Sequence, residues 1–358
     1  MTLFRFLMGC FLQLCVMDAY ALQISHVYHE PKVIDPVKNE LIKVSYTLSE
    51  KSNIDLNIYD DRDMLVRRIS KSNVAAGNNN IIWNGKDEAG LNVPPEAYRY
   101  TLTAVSATKK TEYDLSDITG NRQIHIKKLK WNSDKSQFEY QLKKPARVLI
   151  RVGIDNHGPL MGTITNWLPR IAGQHTEHWN GFDASQVINL AKHPKLESTV
   201  QAYSLSDNTI FVGPETNSVK FIENMSWPEE KRKIKNTRKK VITAAYQQSP
   251  QTRGDYELKL SFPETQGLTK EGVPILKGKV PVLLDVPDTK RKIALSRRAE
   301  SVLYIDGQFS IENEVGFIPM TWIVDVDKMH KGEHYLSVNL RGYEGNFGVA
   351  TVKIYVQK

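Results

Sequence analysis

Alternating apolar and polar positions dominate the first hundred or so residues of the chain. The segments Leu41–Leu48, Ile54–Asp60 and Arg99–Val105 each place an apolar side chain at every second position. A period of two over such lengths predicts half-buried β-strands. Clusters of Ser, Asn, Asp and Gly separate the segments, with the spacing of an antiparallel sheet or sandwich. No amphipathic helical stripe of useful length precedes residue 180, so the predicted class is all-β.

The same alternation returns near the C-terminus. In Gly348–Val356, Ala350, Val352, Ile354 and Val356 fall on one face of a strand. The strands predicted in this part of the chain are Val280–Val286, Ser301–Phe309, Met320–Val326, Glu333–Leu340 and Gly348–Val356. They predict a further sandwich that closes the chain.

The pattern Trp-Asn-Gly-x-Asp occurs twice, at Trp83–Asp87 and Trp179–Asp183, with the tryptophans 179 − 83 = 96 positions apart. Tyr46 and Tyr140 lie in matching strands at a similar offset, and a glycine precedes each tryptophan by six positions. Several landmarks in one order at a nearly constant offset indicate an internal duplication.

The repeated pattern has the chemistry of a strand end followed by a tight turn. The indole offers a large apolar surface to one end of a small core. Asn-Gly suits a turn that needs positive φ, and the Asp can accept hydrogen bonds from turn amides. The predicted structural corners are Trp83, Asn84, Gly85 and Asp87 in the first copy, and Trp179, Asn180, Gly181 and Asp183 in the second. The alternative is a ligand pocket formed by the same tryptophan, asparagine and aspartate.

Lys43–Ala104, which includes "VSYTLSEKSNIDLNIYD" and "IIWNGKDEAGLNVPPEAYRYTLTA", resembles the immunoglobulin-like (Ig-like) domain of flagellar hook-capping proteins. That family usually has Gly before the Tyr of the penultimate strand, where this chain has Glu96-Ala97-Tyr98. The second copy, Gln123–Gly213, matches more loosely and carries an insertion at Asn156–Arg170. The resemblance implies an Ig-like sandwich; it does not imply a hook cap, because those proteins use a flagellar export route.

The segment Lys331–Val356, "KGEHYLSVNLRGYEGNFGVATVKIYV", is similar to the closing hairpin of bacterial Ig-like domains. The predicted fold is therefore three tandem Ig-like or fibronectin-like β-sandwiches, with a long basic linker before the last. The predicted divisions are a signal peptide at 1–21, sandwiches at 22–107 and 122–213, a linker with a short helix at 214–278, and a third sandwich at 279–358.

The N-terminus has the order of a secretory signal. Arg5 precedes an apolar run, Phe6–Val16, and Ala19-Tyr20-Ala21 offers a small-x-small site with cleavage after Ala21. The run is short for a membrane span, although a retained anchor and a lipoprotein box at Leu7–Cys10 are the alternatives. We expect a periplasmic or extracellular protein with no transmembrane segment once the signal is removed.

Both cysteines, Cys10 and Cys15, lie in this segment, so the exported chain would contain no thiol. The net charge of +8 is concentrated in Glu229–Lys240 and Lys290–Arg298. In an exported protein such clusters suit anionic envelope polymers, lipid headgroups or acidic proteins better than nucleic acid, although a solvated linker is the alternative. The candidate interaction residues are Trp167, Arg170, Lys231, Arg232, Lys233, Arg238, Lys239 and Lys240.

The sequence contains no recognisable catalytic motif, so the prediction is a protein that is not an enzyme and needs no cofactor. His175, Glu177 and His178 suggest a metal site, but a strand directs His178 away from the other two. Tyr59–Asp63 is acidic but lacks the glycine and distal glutamate of an EF-hand. No two carboxylates have a spacing that favours a glycosidase pair.

Two functions remain open at this point. The first is a non-catalytic scaffold that binds a protein partner in the envelope or an extracellular assembly. The second is a binding module for carbohydrate or anionic polymers, in which Trp131, Trp167 and Trp227 stack on sugars and the basic linker supplies charge. A hydrolase with an unrecognised site is a third hypothesis.

Overall fold

The computed structural model describes residues 21–61, 63–213, 255–296, 298–314, 316–342 and 345–358. Within these ranges nearly all of the regular secondary structure is β-strand, which confirms the all-β class. The predicted signal segment up to Tyr20 and the candidate residues from Lys231 to Lys240 lie outside the described residues. Across the described part of the chain, no helix combines the length and apolarity needed to cross a membrane.

The first sandwich contains β1 (Ile24–Glu30), β2 (Val33–Ile34), β3 (Ile42–Leu48), β4 (Ser52–Tyr59), β5 (Leu65–Val74), β6 (Gly77–Trp83), β7 (Glu96–Val105) and β8 (Lys110–Tyr113). One sheet has the order β1-β3-β6, and β5, β4, β7 and β8 pair in the facing sheet. The alternation in β3 works as predicted, because Ile42, Val44, Tyr46 and Leu48 are buried between the sheets. A 3-10 turn, Pro36–Lys38, follows β2.

A short helix, α1 (Ser116–Thr119), leads into the second sandwich. This sandwich contains β9 (Lys130–Asn132), β10 (Gln137–Leu142), β11 (Ala146–Ile154), β12 (Leu160–Arg170), β13 (Gly173–His178) and β14 (Leu196–Ser204), with a 3-10 turn at Leu190–Lys192. Its two sheets have the orders β13-β10-β9 and β12-β11-β14. The segment that the sequence analysis described as an insertion contains the whole of β12, which pairs along β11 with several register shifts.

The strand β15 (Thr209–Val212) follows the second sandwich in the chain but belongs to the sheet of the first. It pairs antiparallel with β7 and parallel with β2, and Ile210 is fully buried in the first core. The second sandwich is therefore inserted between β8 and β15 of the first. The sequence analysis placed residues up to 213 in the second sandwich, because alternation identifies a strand but not its partner.

The third sandwich contains β16 (Tyr256–Glu257), β17 (Lys259–Ser261), β18 (Ile275–Leu276), β19 (Lys279–Asp285), α2 (Asp288–Ser296), β20 (Glu300–Ile305), β21 (Gln308–Asn313), β22 (Met320–Asp325), β23 (Gly332–Arg341) and β24 (Phe347–Val356), with a 3-10 turn at Val326–Lys328. The strand predicted at Ser301–Phe309 is a hairpin, with β20 and β21 meeting at Asp306-Gly307. One sheet contains β16, β18, β24, β23, β20 and β21, and the other has the order β17-β19-β22. The strands β16, β17 and β18 fall within the range 214–278 that the sequence analysis assigned to the linker.

Candidate functional site at the corners and junctions

Each repeated tryptophan closes one end of a core and also binds its own turn. Trp83 is 1% exposed, and its Nε1–H donates to the carbonyl oxygen of Lys86 at 2.8 Å. Trp179 is 8% exposed, and its Nε1–H donates to the carbonyl oxygen of Phe182 at the same distance. The indoles therefore bury their apolar surface while their single donor remains hydrogen-bonded.

The asparagine after each tryptophan accepts a hydrogen bond from a backbone amide of the same turn. The Oδ1 of Asn84 accepts from the amide of Lys86 at 3.3 Å, and the Oδ1 of Asn180 accepts from the amide of Phe182 at 3.0 Å. Both are local side-chain-to-backbone bonds of the kind that makes Asn a turn residue. In both copies the asparagine Oδ1 accepts from the amide two residues further along the chain.

The glycines of the two corners adopt positive φ, 67° at Gly85 and 86° at Gly181. They also allow close packing, because a Cβ on Gly85 would lie 2.3 Å from the Cγ of Pro36. A Cβ on Gly181 would lie 2.9 Å from the Cβ of Ala191. Each corner thus presses against a neighbouring 3-10 turn at a place where a side chain does not fit.

The aspartate that ends each motif holds the following loop. Asp87 accepts from the amides of Ala89 and Leu91, both at 2.9 Å. Asp183, which is fully buried, accepts from three amides at 2.6–3.1 Å. Those three donors are Ser185, Val187 and Ile188. In both corners the indole Nε1–H, the asparagine Oδ1 and the aspartate carboxylate are thus bonded to backbone groups of the same turn and the loop after it. This geometry fits the structural role that we predict for them.

The cluster that suggested a metal site is part of a buried ion pair. Glu177 receives two parallel bonds from Arg170, at 2.8 and 2.9 Å, and a third from the hydroxyl of Tyr140 at 2.8 Å. His178 is exposed on the opposite face of β13, as strand alternation predicts. Among the described residues, no group of three or more His, Cys, Asp or Glu side chains is placed to hold a metal ion.

Burial governs the titration of the groups around this ion pair. Removal from water raises the pKa of Tyr140, and the negative charge of Glu177 acts in the same direction. Burial lowers the pKa of His175, because here the charged form is the protonated one. The imidazole of His175 stacks on the Tyr140 ring with 5.3 Å between the ring centres. The Nε2 of His175 lies 2.8 Å from the carbonyl oxygen of Ile171. Desolvation therefore favours the neutral forms of the Tyr140 phenol and the His175 imidazole. Both groups lie beside the ion pair of Arg170 with Glu177.

Two residues that the sequence analysis proposed for partner binding lie inside the protein. Trp167 is 5% exposed and contacts the ring of Tyr203, while Arg170 is 6% exposed and bound to Glu177. Their segment continues β12 and is not a loop. Arg170 reaches Glu177 inside the sandwich, whereas Trp167 packs on Tyr203 outside the core cluster of this sandwich. The β-branched run Thr163-Ile164-Thr165 before Trp167 favours a strand and is the signal that could have revealed this one.

The other tryptophans named for sugar binding are placed differently. Trp131 is half-buried, 4.9 Å from the Trp179 ring and 5.0 Å from the Phe138 ring, so it extends the corner of the second sandwich. Trp227 lies outside the described residues.

Buried charges tie the first sandwich to the second. Arg147 on β11 forms a 3.0 Å ion pair with Glu96 on β7, and both side chains are more than nine-tenths buried. Arg99 bridges Asp63 and Asp114 beside them. These pairs surround a small cleft of about 100 Å³ between the two sandwiches. Of these pairs, Arg147–Glu96 is the one that joins the two sandwiches, since Arg99, Asp63 and Asp114 all precede the second. Because a buried charge is costly without its partner, this pair favours one arrangement of the two sandwiches.

Hydrogen bonds of long sequence separation tie the second sandwich to the third. Asn339 on β23 accepts from the amide of Leu160 at 2.8 Å and donates to its carbonyl oxygen at 2.7 Å. Arg151 donates to the carbonyl oxygen of Gly345 at 3.0 Å and lies 4.8 Å from the centre of the Phe347 ring. The sequence analysis missed this junction. Its one visible signal is the polar Asn339 within the apolar positions of β23.

Comparison with known proteins supports the fold of the first sandwich. Residues 35–108 match the model of the FlgD Ig-like domain family. The match confirms the resemblance inferred for the first copy and covers that sandwich alone. The Ig-like assignment of the second and third sandwiches stays a prediction. No curated protein matches the chain.

Solved structures with similar repeats include FLGD from P. aeruginosa, at 28% identity, covering 26% of this chain and 70% of that chain, with a TM-score of 0.22. Fibronectin(III)-like modules of CbhA from Clostridium thermocellum align at 11% identity over 94% of both chains, with a TM-score of 0.19. A tetra-tandem repeat from the extending region of a large adhesion protein aligns at 10% identity over 93% of this chain and 74% of that chain, with a TM-score of 0.20. At these scores the likeness carries no argument about the arrangement or function of this chain.

Proposed function

We propose that the chain is an exported, non-catalytic scaffold that holds a protein partner in the bacterial envelope or in an extracellular assembly. One observation carries the proposal: neighbouring sandwiches make specific contacts. The first and second are joined by the buried Arg147–Glu96 pair and by the pairing of β15 with β7, and the second and third by the reciprocal hydrogen bonds of Asn339 and Leu160. A spacer or platform needs fixed angles between its units, and these junctions supply them.

The pairing of β15 with β7 makes the first junction stiffer than a single linker would. The chain passes from the first sandwich to the second after β8 and returns at β15, so two chain crossings connect them. The Arg147–Glu96 pair then adds a buried contact between the facing surfaces. Rotation of one sandwich on the other would have to break these contacts together.

The exported location rests on the sequence of the first residues. Arg5, the apolar run Phe6–Val16 and the small residues Ala19 and Ala21 have the order of a cleaved secretory signal. Fusing residues 1–21 to a reporter that is active only outside the cytoplasm tests this part separately. An inactive reporter would contradict export.

Cross-linking in the native cell, followed by mass spectrometry, tests the scaffold role. The expected result is a reproducible set of cross-links between one partner protein and surface lysines of the described sandwiches. Lys51 and Lys71 in the first sandwich and Lys331 in the third are exposed and serve as reporters.

The comparison is with the variant Arg147→Met. This substitution removes the cation from the first junction and leaves those surface lysines in place. If the scaffold geometry matters, the cross-links from Lys51 or Lys71 in the first sandwich and from Lys331 in the third to one partner should weaken together, because the first junction helps to set the distance between them. A chain that co-purifies with no stable partner would overturn the proposal. An enzymatic activity abolished by a single carboxylate substitution would also overturn it.

A further inference from the structure

The outer face of the sheet β1-β3-β6 carries a row of uncharged polar groups around an exposed tyrosine. The pairing register aligns Tyr28 with Ser45 and Ser45 with Asn80 across the three strands. The next row contains Thr47 and Asn78, joined by a 2.8 Å hydrogen bond from the Thr47 hydroxyl to Asn78 Oδ1. These rows border a surface hollow of about 270 Å³. That is near the lower end of small-molecule sites.

The groups of the central row are available to a ligand. Tyr28 is 53% exposed, although most large hydrophobic residues of this sandwich lie in its core. Among the described residues, the side chains of Tyr28, Ser45 and Asn80 have no hydrogen-bond partner within the chain. The face therefore offers a phenol ring, a hydroxyl and an amide side by side, with only water to satisfy them.

A β-bulge in β1 creates this arrangement. Ser25 pairs with Thr47 and Tyr28 pairs with Ser45, so β1 has one residue more than β3 over this stretch. The extra residue brings Tyr28 onto the outer face, whereas strict alternation from Ser25 would direct it inward. Within the bulge, His26 has a φ of 49°, a strained value for a residue that is not glycine, and it also borders the hollow. Bulges and strained residues of this kind often re-aim side chains at functional sites.

The side chains of the two polar rows carry no charge. In the row beside them Lys43 pairs with Glu30 at 2.7 Å, so this cation and this anion cancel. The exposed Lys71 of β5 donates to the backbone carbonyl oxygen of Asn80 at 2.9 Å, so one cation lies next to the central row without belonging to it. Within the two polar rows themselves an anionic polymer would meet no lysine or arginine. Neutral hydrogen-bonding groups beside an aromatic ring instead match the hydroxyls and the apolar C–H face of a neutral sugar.

The corresponding face of the second sandwich lacks this chemistry. Its central position is Glu139, which accepts from Asn132 at 2.9 Å and from Gln137 at 3.1 Å. The strand that corresponds to β1 is Lys130–Asn132, whose one aromatic residue, Trp131, packs against the core. The polar hollow thus belongs to the first sandwich and is not a general property of the repeat.

We propose that the outer face of β1-β3-β6 binds a neutral saccharide, with the ring of Tyr28 under one sugar and the side chains of Ser45, Asn80 and Asn78 bonded to its hydroxyls. The site is separate from the tryptophans and the basic segment considered above, and it goes beyond the scaffold role. With this site the scaffold would bind a glycan as well as a protein partner.

The test uses the full chain and a panel of neutral hexasaccharides: cellohexaose, maltohexaose, laminarihexaose, xylohexaose, mannohexaose and chitohexaose. Binding is measured by isothermal titration calorimetry in low and high salt. At least one hexasaccharide should bind with little dependence on salt. Tyr28→Ala should weaken it by at least about tenfold, the effect of losing one aromatic anchor. Asn80→Ala should weaken it as well, whereas Tyr28→Phe should retain most of the affinity because the ring remains.

Phe309→Ala is the matched control, since Phe309 is 56% exposed on the third sandwich and its replacement should leave binding unchanged. A thermal melt of each variant checks that a loss of binding is not a loss of fold. The proposal is overturned if no hexasaccharide binds, or if Tyr28→Ala binds as tightly as the parent chain. It also fails if binding requires an anionic sugar, tested with a hexauronate, and disappears in salt. Any of these results leaves the cross-linking test of the scaffold role unaffected.

Discussion

A single tryptophan in each corner combines core packing with turn formation. The ring of Trp83 packs edge-on against Tyr98 at 5.7 Å, while its Nε1–H closes the turn at Lys86. In the second sandwich Trp179 stacks on Phe138 at 5.6 Å and closes the turn at Phe182. Removing either indole therefore opens a cavity and also leaves a carbonyl without its donor.

Trp179→Ala should lower the free energy of unfolding by about 3–5 kcal/mol, the usual cost of truncating a large buried aromatic residue. Chemical denaturation followed by circular dichroism measures the change. Phe309→Ala, an exposed aromatic truncation, should cost far less. An unfolding curve for Trp179→Ala that overlays the parent curve would contradict the core role.

A buried histidine makes the first sandwich sensitive to acid. His29 is 3% exposed, and its Nδ1 lies 3.3 Å from the hydroxyl of Tyr100. Burial, assisted by the positive charge of Lys32, lowers the pKa of His29 from 6.5 to about 4. The unfolded chain therefore takes up this proton as the pH falls below 6.5, while the folded chain resists it until about pH 4.

The first sandwich should consequently lose stability as the pH falls from 6.5 towards 4, by roughly 3 kcal/mol over the window. Hydrogen exchange of the amides in Ile42–Leu48, measured at neutral pH and near the lower end of that window, reports the change locally. His29→Gln should flatten the dependence, whereas His178→Gln, at an exposed position, should not. An equally steep dependence in His29→Gln would show that other groups cause it.

The strands show which features of the fold can be read from the sequence. Alternation predicted β3, β4, β7, β22 and β24 close to their observed bounds, because the period of two is a local property. It did not show that β15 pairs with β7, since periodicity identifies the buried face of a strand and says nothing about its partner. The short strands β16 and β18 were missed because two residues are too few to show a period.

The candidate sites also divide into those made by neighbours in the sequence and those made by residues that only the fold brings together. The corner residues could be proposed one by one from the sequence, since turn chemistry depends on neighbours in the sequence. The position of Arg170 was not predicted, because its partner Glu177 becomes a neighbour only when the sheet of β12 packs on the sheet of β13. The junction at Leu160 and Asn339 joins residues 179 positions apart, so no local pattern could reveal it.

The strand β15 gives the first sandwich a dependence on residues far along the chain. Ile210 is fully buried, and β15 occupies the position between β2 and β7. Ile210→Asp should destabilise the first sandwich by about 3 kcal/mol or more, because it places an unpaired charge in a core. Limited proteolysis should then cut within the first sandwich much faster than in the parent.

The control for this element is Ile323→Asp, on β22, where the parent side chain is 60% exposed. That substitution should leave the proteolysis pattern of the first sandwich unchanged. Cleavage of Ile210→Asp at the parent rate would show that the first sandwich is stable without β15.

At the scale of the whole molecule, the junctions determine whether three sandwiches behave as one body. Between the second and third, the bonds of Asn339 with Leu160 are joined by one from the amide of Thr351 to the hydroxyl of Ser185, at 2.8 Å. These contacts are few but directional, and they use backbone groups that would otherwise face water. Truncating a side chain at the junction should therefore change the geometry more than the stability.

Spin labels at Lys135→Cys and Lys331→Cys, with both native cysteines replaced, measure the distance between the second and third sandwiches. The parent should give one narrow distribution, and the double substitution Asn339→Ala with Arg151→Ala should broaden it. Arg341→Ala, which removes an exposed ion pair with Glu300, should leave it narrow. A broad distribution in the parent would show that the junction does not hold in solution.

The insertion of the second sandwich also sets an order of events as the chain emerges from its N-terminus. Passage through an export channel, like synthesis, delivers residues 22–113 before Thr209–Val212, so the first sheet waits with an unfilled place beside β7. During that interval the growing chain can complete the second sandwich, whose strands lie together in the sequence. Its closure then carries β15 back to the waiting edge. The N-terminal sandwich, although it emerges first, would be the later of the two to mature.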